Sequence, residues 1–179
     1  MLLLKFHIAG DAYAVAATEV TEIVPYVGLR DCPGTPPELA GIFVYRGNPV
    51  PVIDLALIFG KPPAIRNLST RILLTRIPSE ACPSDHVSEG KPEEKSEEKS
   101  EQKSEEKSEN EIGLLVEDAT EVFEAASEKL HDENIFTEQI PGFGRTIVNG
   151  SAMIQIVRLR DLIPAELATI KGHIGKDRE

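Results

Sequence analysis

The seventeen residues LAGIFVYRGNPVPVIDL at 39–55 restrict this chain more than any others, because they read as two apolar strands folded back on each other through a tight turn. Ile42-Phe43-Val44-Tyr45 is apolar at every position, and a strand of that kind is expected to be covered on both faces. Gly47-Asn48 is a two-residue hairpin signal, since both residues tolerate positive φ. That places a lone arginine, Arg46, as the last strand residue before the turn. Pro49 and Pro51 donate no backbone hydrogen bond, so the returning strand is expected to run at an edge or at its own beginning there. A hairpin with this much apolar surface and one projecting cation suggests a binding module more than an enzyme.

The flanking sequence follows the same style. Residues 2–8 and 12–16 read as strands around a Gly10-Asp11 turn. Between Thr18 and Val24, the spacing of Val20 with Val24 and of Glu19 with Glu22 suggests one or two helical turns before Pro25 stops them. Residues 28–37, with Pro33, Gly34, Pro36 and Pro37, form a loop. Asp54 to Gly60 reads as a short helix, with Asp54 as its N-cap and Gly60 as its C-cap. Thr70 to Ile77 is a strand, and Ile112–Val116 with Thr120–Ala125 is a second strand pair.

Two stretches recur in order. Tyr13–Val24 (YAVAATEVTEIV) matches Ile112–Phe123 (IGLLVEDATEVF) at a shift of 99, and Val50–Leu55 (VPVIDL) matches Ile154–Leu159 (IQIVRL). Two similar β units built on one plan are therefore expected. Short strands with frequent turns point to small barrels and an all-β chain.

Composition excludes several classes of function. A net charge of −11 gives no basic footprint for a nucleic acid. Within 93–111, nine Glu face four Lys, so −5 of that charge belongs to one repetitive tract of EEKS-like units. Like charges at i,i+4 oppose a helix there, and without apolar residues the tract cannot repay the cost of ordering. Residues 79–110 are expected to be a disordered acidic insert and 164–179 a tail. Cys32 and Cys82 lack CxxC partners and read as free thiols, while His7, His86, His131 and His173 are scattered, so neither a metal nor any other cofactor is expected. The start MLLLKFHIAG is too short in its apolar run for a signal peptide, and no stretch suits membrane insertion, so a soluble cytoplasmic protein is expected. Phosphate-binding loops and nucleophile elbows are missing. Glu22 and Glu121 occupy equivalent positions of separate units, which makes an acid/base pair improbable and a non-enzyme the natural reading.

At this point the motifs Thr18-EVTEIVPY, Leu39-AGIFVYRGNPVPVIDL, Thr70-RILLTRI, Ile112-GLLVEDATEV and Met153-IQIVRLRDLIP, in this order, resemble the CheW-like adaptors of bacterial chemosensory arrays. The resemblance covers residues 2–163 apart from the acidic insert. It implies two five-stranded SH3-like barrels packed together with short helices, the first at about 14–78 and the second at about 1–10 plus 111–157. It also implies a scaffold that bridges a CheA-type histidine kinase to the tips of methyl-accepting chemoreceptors, at the inner face of the membrane. On the family pattern, Val20, Glu22 and Ile23 match the kinase-binding edge, and Arg46 with Gly47 matches the turn that couples receptor to kinase. Read as residues alone, Val20 and Ile23 fit a core better than an interface. The insert sits where the family has a short turn, residues 126–150 fit the pattern poorly, and without a receiver domain among these residues the adaptor-receiver fusion CheV is not expected. The wording of the motifs is closer to accessory, surface-sensing adaptors than to the main chemotaxis one. The alternative is a two-barrel interaction module with an unrelated regulatory partner.

Overall fold

A computed structural model describes residues 1–78, 109–125, 130–131, 142–149 and 152–168. Strands β1 (Leu2–Ile8) and β2 (Asp11–Ala16) form an antiparallel hairpin in which Ile8 pairs with Asp11. Its turn is therefore Ala9–Gly10, one residue earlier than expected, and both residues have positive φ. Next come β3 (Glu22–Pro25), β4 (Leu39–Tyr45), β5 (Asn48–Asp54), β6 (Thr70–Pro78) and the sixteen-residue β7 (Glu109–Glu124). β8 (Leu130–His131), β9 (Phe143–Asn149) and β10 (Ala152–Val157) complete the sheets. Short helices α1 (Leu55–Ile58), α2 (Leu159–Leu162) and α3 (Ala165–Ala168) follow strands β5 and β10.

Hydrogen bonding divides the strands into two runs of five that share β7. One run is β3-β6-β7-β5-β4 and the other is β7-β1-β2-β10-β9, with β8 added at the end. The first half of β7 pairs antiparallel with β6 and parallel with β5, and its second half pairs with β1. The segment 11–25 makes the mirror crossing, since β2 pairs with β1 and β10 while β3 pairs with β6. By pairing, residues 11–16 thus lie with the second run and 109–117 with the first.

The internal repeat is visible in the register. Ile53 pairs with Leu114 and Val52 with Gly113, while Val157 pairs with Val15 and Ile156 with Ala14. These partners are the ones that the two sequence matches superimpose, so both matches meet in one parallel contact per unit.

Three expectations fail for identifiable reasons. Residues 18–24 are helical only as a 3₁₀ turn at Ala17–Glu19, and Glu22 onward is strand, paired with Leu74 to Arg71. Val20 and Val24 share a side in a strand as well as in a helix, because a separation of four satisfies both periods, and the β-branched residues here favour the ladder. The predicted pair 112–116 and 120–125 is one continuous strand, in which Asp118 at φ 50 takes up the irregularity where pairing passes from β6 to β1. The chain from 164 is not wholly a tail, since α3 places Leu167 in the main core. The remaining part of that tail, and residues 79–108 of the insert with Cys82 and His86, lie outside the described residues.

The larger apolar cluster spans both runs, joining Leu4, Phe6 and Val15 to Phe43, Val52, Leu73, Leu114 and Leu159. A smaller one inside the second run gathers Leu3, Ala14, Ile147, Ile154 and Ile156. Neighbours Leu3 and Leu4 belong to different clusters, as the two-residue alternation of a strand requires. Each fully buried aliphatic chain contributes about 1.5–3 kcal/mol. The cluster that crosses the join therefore holds the two runs together.

Candidate functional site

The β4–β5 hairpin tip carries the site. Tyr45 pairs with Asn48, so the two turn residues are Arg46 and Gly47, at φ 48 and 83, and not Gly47-Asn48 as expected. Positive φ at both positions is what a hairpin turn twisted like its strands needs, and glycine meets it without strain. A Cβ on Gly47 would touch nothing within 4 Å, so its role is conformational. Arg46 adopts the left-handed conformation despite its side chain, a cost of order 1 kcal/mol that local contacts must offset. It consequently projects from the turn itself.

Those contacts come from β3 and from the neighbouring residue. Arg46 Nη2 donates to Glu22 Oε2 at 2.8 Å, and the Tyr45 hydroxyl donates to the same oxygen. The Arg46 guanidinium also lies over the Tyr45 ring, 5.0 Å from its centroid. Glu22, predicted at a kinase-binding edge, and Arg46, predicted at a coupling turn, thus converge on one carboxylate oxygen and form one cluster. Tyr45 is its third member. Sequence reading passed over it as an ordinary strand residue; its aromatic ring next to Arg46 was the available signal.

The other predicted residues divide by strand alternation. Val20 is half-buried and packs against the main core, whereas Ile23 points the other way and is 38% exposed. Val44, expected to be covered on both faces, is 73% exposed, because it lies near the hairpin tip, where its partner Pro49 is exposed as well. Pro49 and Pro51 occupy the outer stretch of β5, before the strand pairs with β7 from Val52 on, which agrees with the edge expected there. Glu121, the counterpart of Glu22 in the repeat, is paired separately with Lys5 at 2.9 Å.

The side chains of Arg46 and Glu22 are 73% and 39% exposed, so their ion pair is worth no more than about 1 kcal/mol. It fixes geometry more than it stabilises the fold. The hydrogen bond to Glu22 holds the Tyr45 hydroxyl above the ordinary phenol range, so it is a donor at neutral pH. A raised folded value contributes stability below about pH 10 that is lost as pH climbs through it. Tyr45→Phe removes that contribution and keeps the ring under Arg46. In melts between about pH 8 and about pH 11, the wild type should approach the variant at the alkaline end; a constant gap would mean that the hydroxyl is not bonded to Glu22 in solution.

A cavity of about 500 Å³ lies beside β1, β2 and β10, with Lys5, His7, Tyr13 and Gln155 in its wall. Lys5 is committed to Glu121, and the Gln155 amide to Thr146 and Gly144. Among the described residues no group of three His, Cys, Asp or Glu could hold a metal ion, and Cys32 is a free thiol. The exposed hairpin cluster, with apolar Val44 beside it, is the arrangement that suits contact with another polypeptide.

A family profile described as CheW-like domain matches residues 2–166. The Chemotaxis protein CheW of Helicobacter pylori is 38% identical over 71 residues, which are 40% of this chain and 43% of that protein. The matched stretch thus spans less than half of the relative's length. The crystal structure of scaffolding protein TtCheW from Thermoanaerobacter tengcongensis superimposes with a TM-score of 0.66, covering 91% of this chain and 87% of that one at 21% identity. At that identity the likeness is one of fold.

Proposed function

The chain belongs to the CheW-like domain family, and on that footing we propose that it is a non-catalytic scaffold that couples methyl-accepting chemoreceptors to a CheA-type histidine kinase. Its place is the cytoplasm, at the inner face of the membrane, where receptors recruit it; no described helix is long and apolar enough to cross a membrane. The motif wording favours an accessory system of the surface-sensing type. The two runs divide the work, with β3-β6-β7-β5-β4 carrying both Val20-Glu22-Ile23 and Arg46-Gly47, and β7-β1-β2-β10-β9 supporting it.

The observation that carries this reading is the convergence of Glu22 and Arg46 on one exposed cluster. A kinase-facing edge and a coupling turn that share a carboxylate form one continuous surface, so engagement of either partner is felt by the other. Ile23, 38% exposed on the opposite face of β3, offers a separate apolar contact on the same strand.

Purified protein mixed with the kinase's regulatory domain and with a receptor-tip fragment, each labelled for titration, should bind both. It should also raise the fraction of kinase placed under receptor control in a reconstituted assay. Binding to neither fragment, together with retrieval of a different defined partner from the native cell, would favour the unrelated interaction module.

A further inference from the structure

Residues 17–21 carry the chain from the second run to the first, since β2 pairs with β1 and β10 whereas β3 pairs with β6. Glu19 is tied to both sides of this crossing. Its carbonyl accepts from the Thr75 hydroxyl at 2.8 Å, and Thr75 is buried on β6. Its carboxylate Oε2 accepts from the Leu159 N–H at 2.8 Å, 140 residues away in the chain, and Leu159 is fully buried at the start of α2. Arg158, the residue before that helix, caps it with no side-chain hydrogen bond. Glu19 thus supplies, from across the crossing, the acceptor that a local cap would give.

The crossing leads directly into β3, which needs the support. That strand has four residues, pairs with β6 alone, and includes Pro25, which donates no backbone hydrogen bond. A strand so short and peripheral opens more easily than the core strands do. A cleft of about 420 Å³ lies where the crossing meets α2, and the described residues that wall it, Thr18, Glu19, Thr21, Thr75, Arg76 and Arg160, are all polar. Apolar packing does not fix the entry to β3 at this point, so hydrogen bonds do. We infer that Glu19 is a positioning residue for kinase docking: by joining β6 to α2 it holds residues 20–23 in their docking position, and it acts through them. The inference rests on the adaptor reading, in which Val20, Glu22 and Ile23 face the kinase, and says how the second run supports the first. An edge fixed beforehand loses less conformational freedom when a partner seats on it. Without the carboxylate bridge, each docking event must order the same residues itself.

The test uses the full chain and the kinase regulatory domain, with affinity measured at a temperature well below melting. Glu19→Ala should lose roughly fivefold in affinity, in the range of a single hydrogen bond. Glu19→Gln keeps an acceptor oxygen for the Leu159 N–H and should bind within about twofold of wild type. Thr146→Val removes a buried hydroxyl that donates to Gln155 inside the second run, so it measures what destabilisation alone does. It should melt lower and bind like wild type. Wild-type affinity of Glu19→Ala would reduce Glu19 to a contact within the fold and overturn the inference, while the adaptor reading stands. Equal losses of affinity in Glu19→Ala and Thr146→Val would overturn it too, because the effect would then follow stability. A glutamine variant as weak as the alanine one would put the charge of Glu19 against the partner and end the positioning role. A wild-type protein that does not bind the domain brings down the adaptor reading, and the inference with it.

Discussion

Asp54→Ala should cost the protein about 3 kcal/mol of stability and lower its melting temperature by roughly 10 °C. Asp54 is only 2% exposed, the one buried acid among the described residues. Its two oxygens are both in use, Oδ1 accepting from Ala56 N–H at 2.9 Å to cap α1 and Oδ2 accepting from Ala64 N–H at 3.0 Å to hold the loop beyond. Ala56 and Ala64 are themselves buried, so alanine at 54 leaves two N–H groups without water or partner. Each orphaned donor costs about 1–3 kcal/mol, and relief from burying a carboxylate offsets part of the sum. Asp54→Asn keeps the shape and one acceptor, and should lose about half as much. Calorimetry of the three proteins measures the series directly. Equal melting of wild type and Asp54→Ala would mean that water or a shifted backbone replaces the carboxylate.

Asp54 also shows why part of this molecule was legible in its sequence. A helix of four residues is too short to show a period, but its ends are chemical. The carboxylate at 54 caps it, and Gly60 at φ 67 closes it, with Gly60 N–H donating to Leu57 and Lys61 N–H donating to Ala56. The β4–β5 hairpin was likewise readable from its glycine and its apolar flanks, although the turn itself fell one residue earlier than expected. Local signals fixed these elements because their hydrogen bonds are local.

What was not legible is non-local. Nothing near residue 118 announces that one strand will run on from one unit to the other, since Glu117-Asp118 looks like a turn until β6 and β1 are there to pair with either side of it. Val20 and Val24 fit two periods, and only the ladder with β6 chooses between them. The candidate site failed in the same way. Glu22, Arg46 and Gly47 were each picked out, but as separate features, because the approach of β3 to the hairpin tip is set by β6, some fifty residues away in the chain. The Tyr45 hydroxyl reaches Glu22 through that same approach, whereas its ring meets Arg46 locally.

Arg46→Glu should reduce affinity for the kinase regulatory domain by about tenfold or more while the fold melts close to wild type. The two halves of this expectation follow from one number: with 73% of its side chain exposed, Arg46 adds little to stability but keeps most of its surface for a partner. The reversal also sets two carboxylates against each other where Glu22 now accepts from Arg46 and Tyr45, so the hairpin tip loses its fixed orientation. Adding Glu22→Arg to Arg46→Glu separates these effects, because the pair is restored with its polarity reversed. If the ion pair acts only by orienting the hairpin, the double variant should bind like wild type. The exposure of Arg46 argues instead that its charge meets the partner directly, so the double variant should regain a rigid tip and remain impaired in binding and in kinase control. Unchanged binding by Arg46→Glu alone would remove the cluster from the interface altogether, and full recovery in the double variant would confine Arg46 to an internal, orienting role.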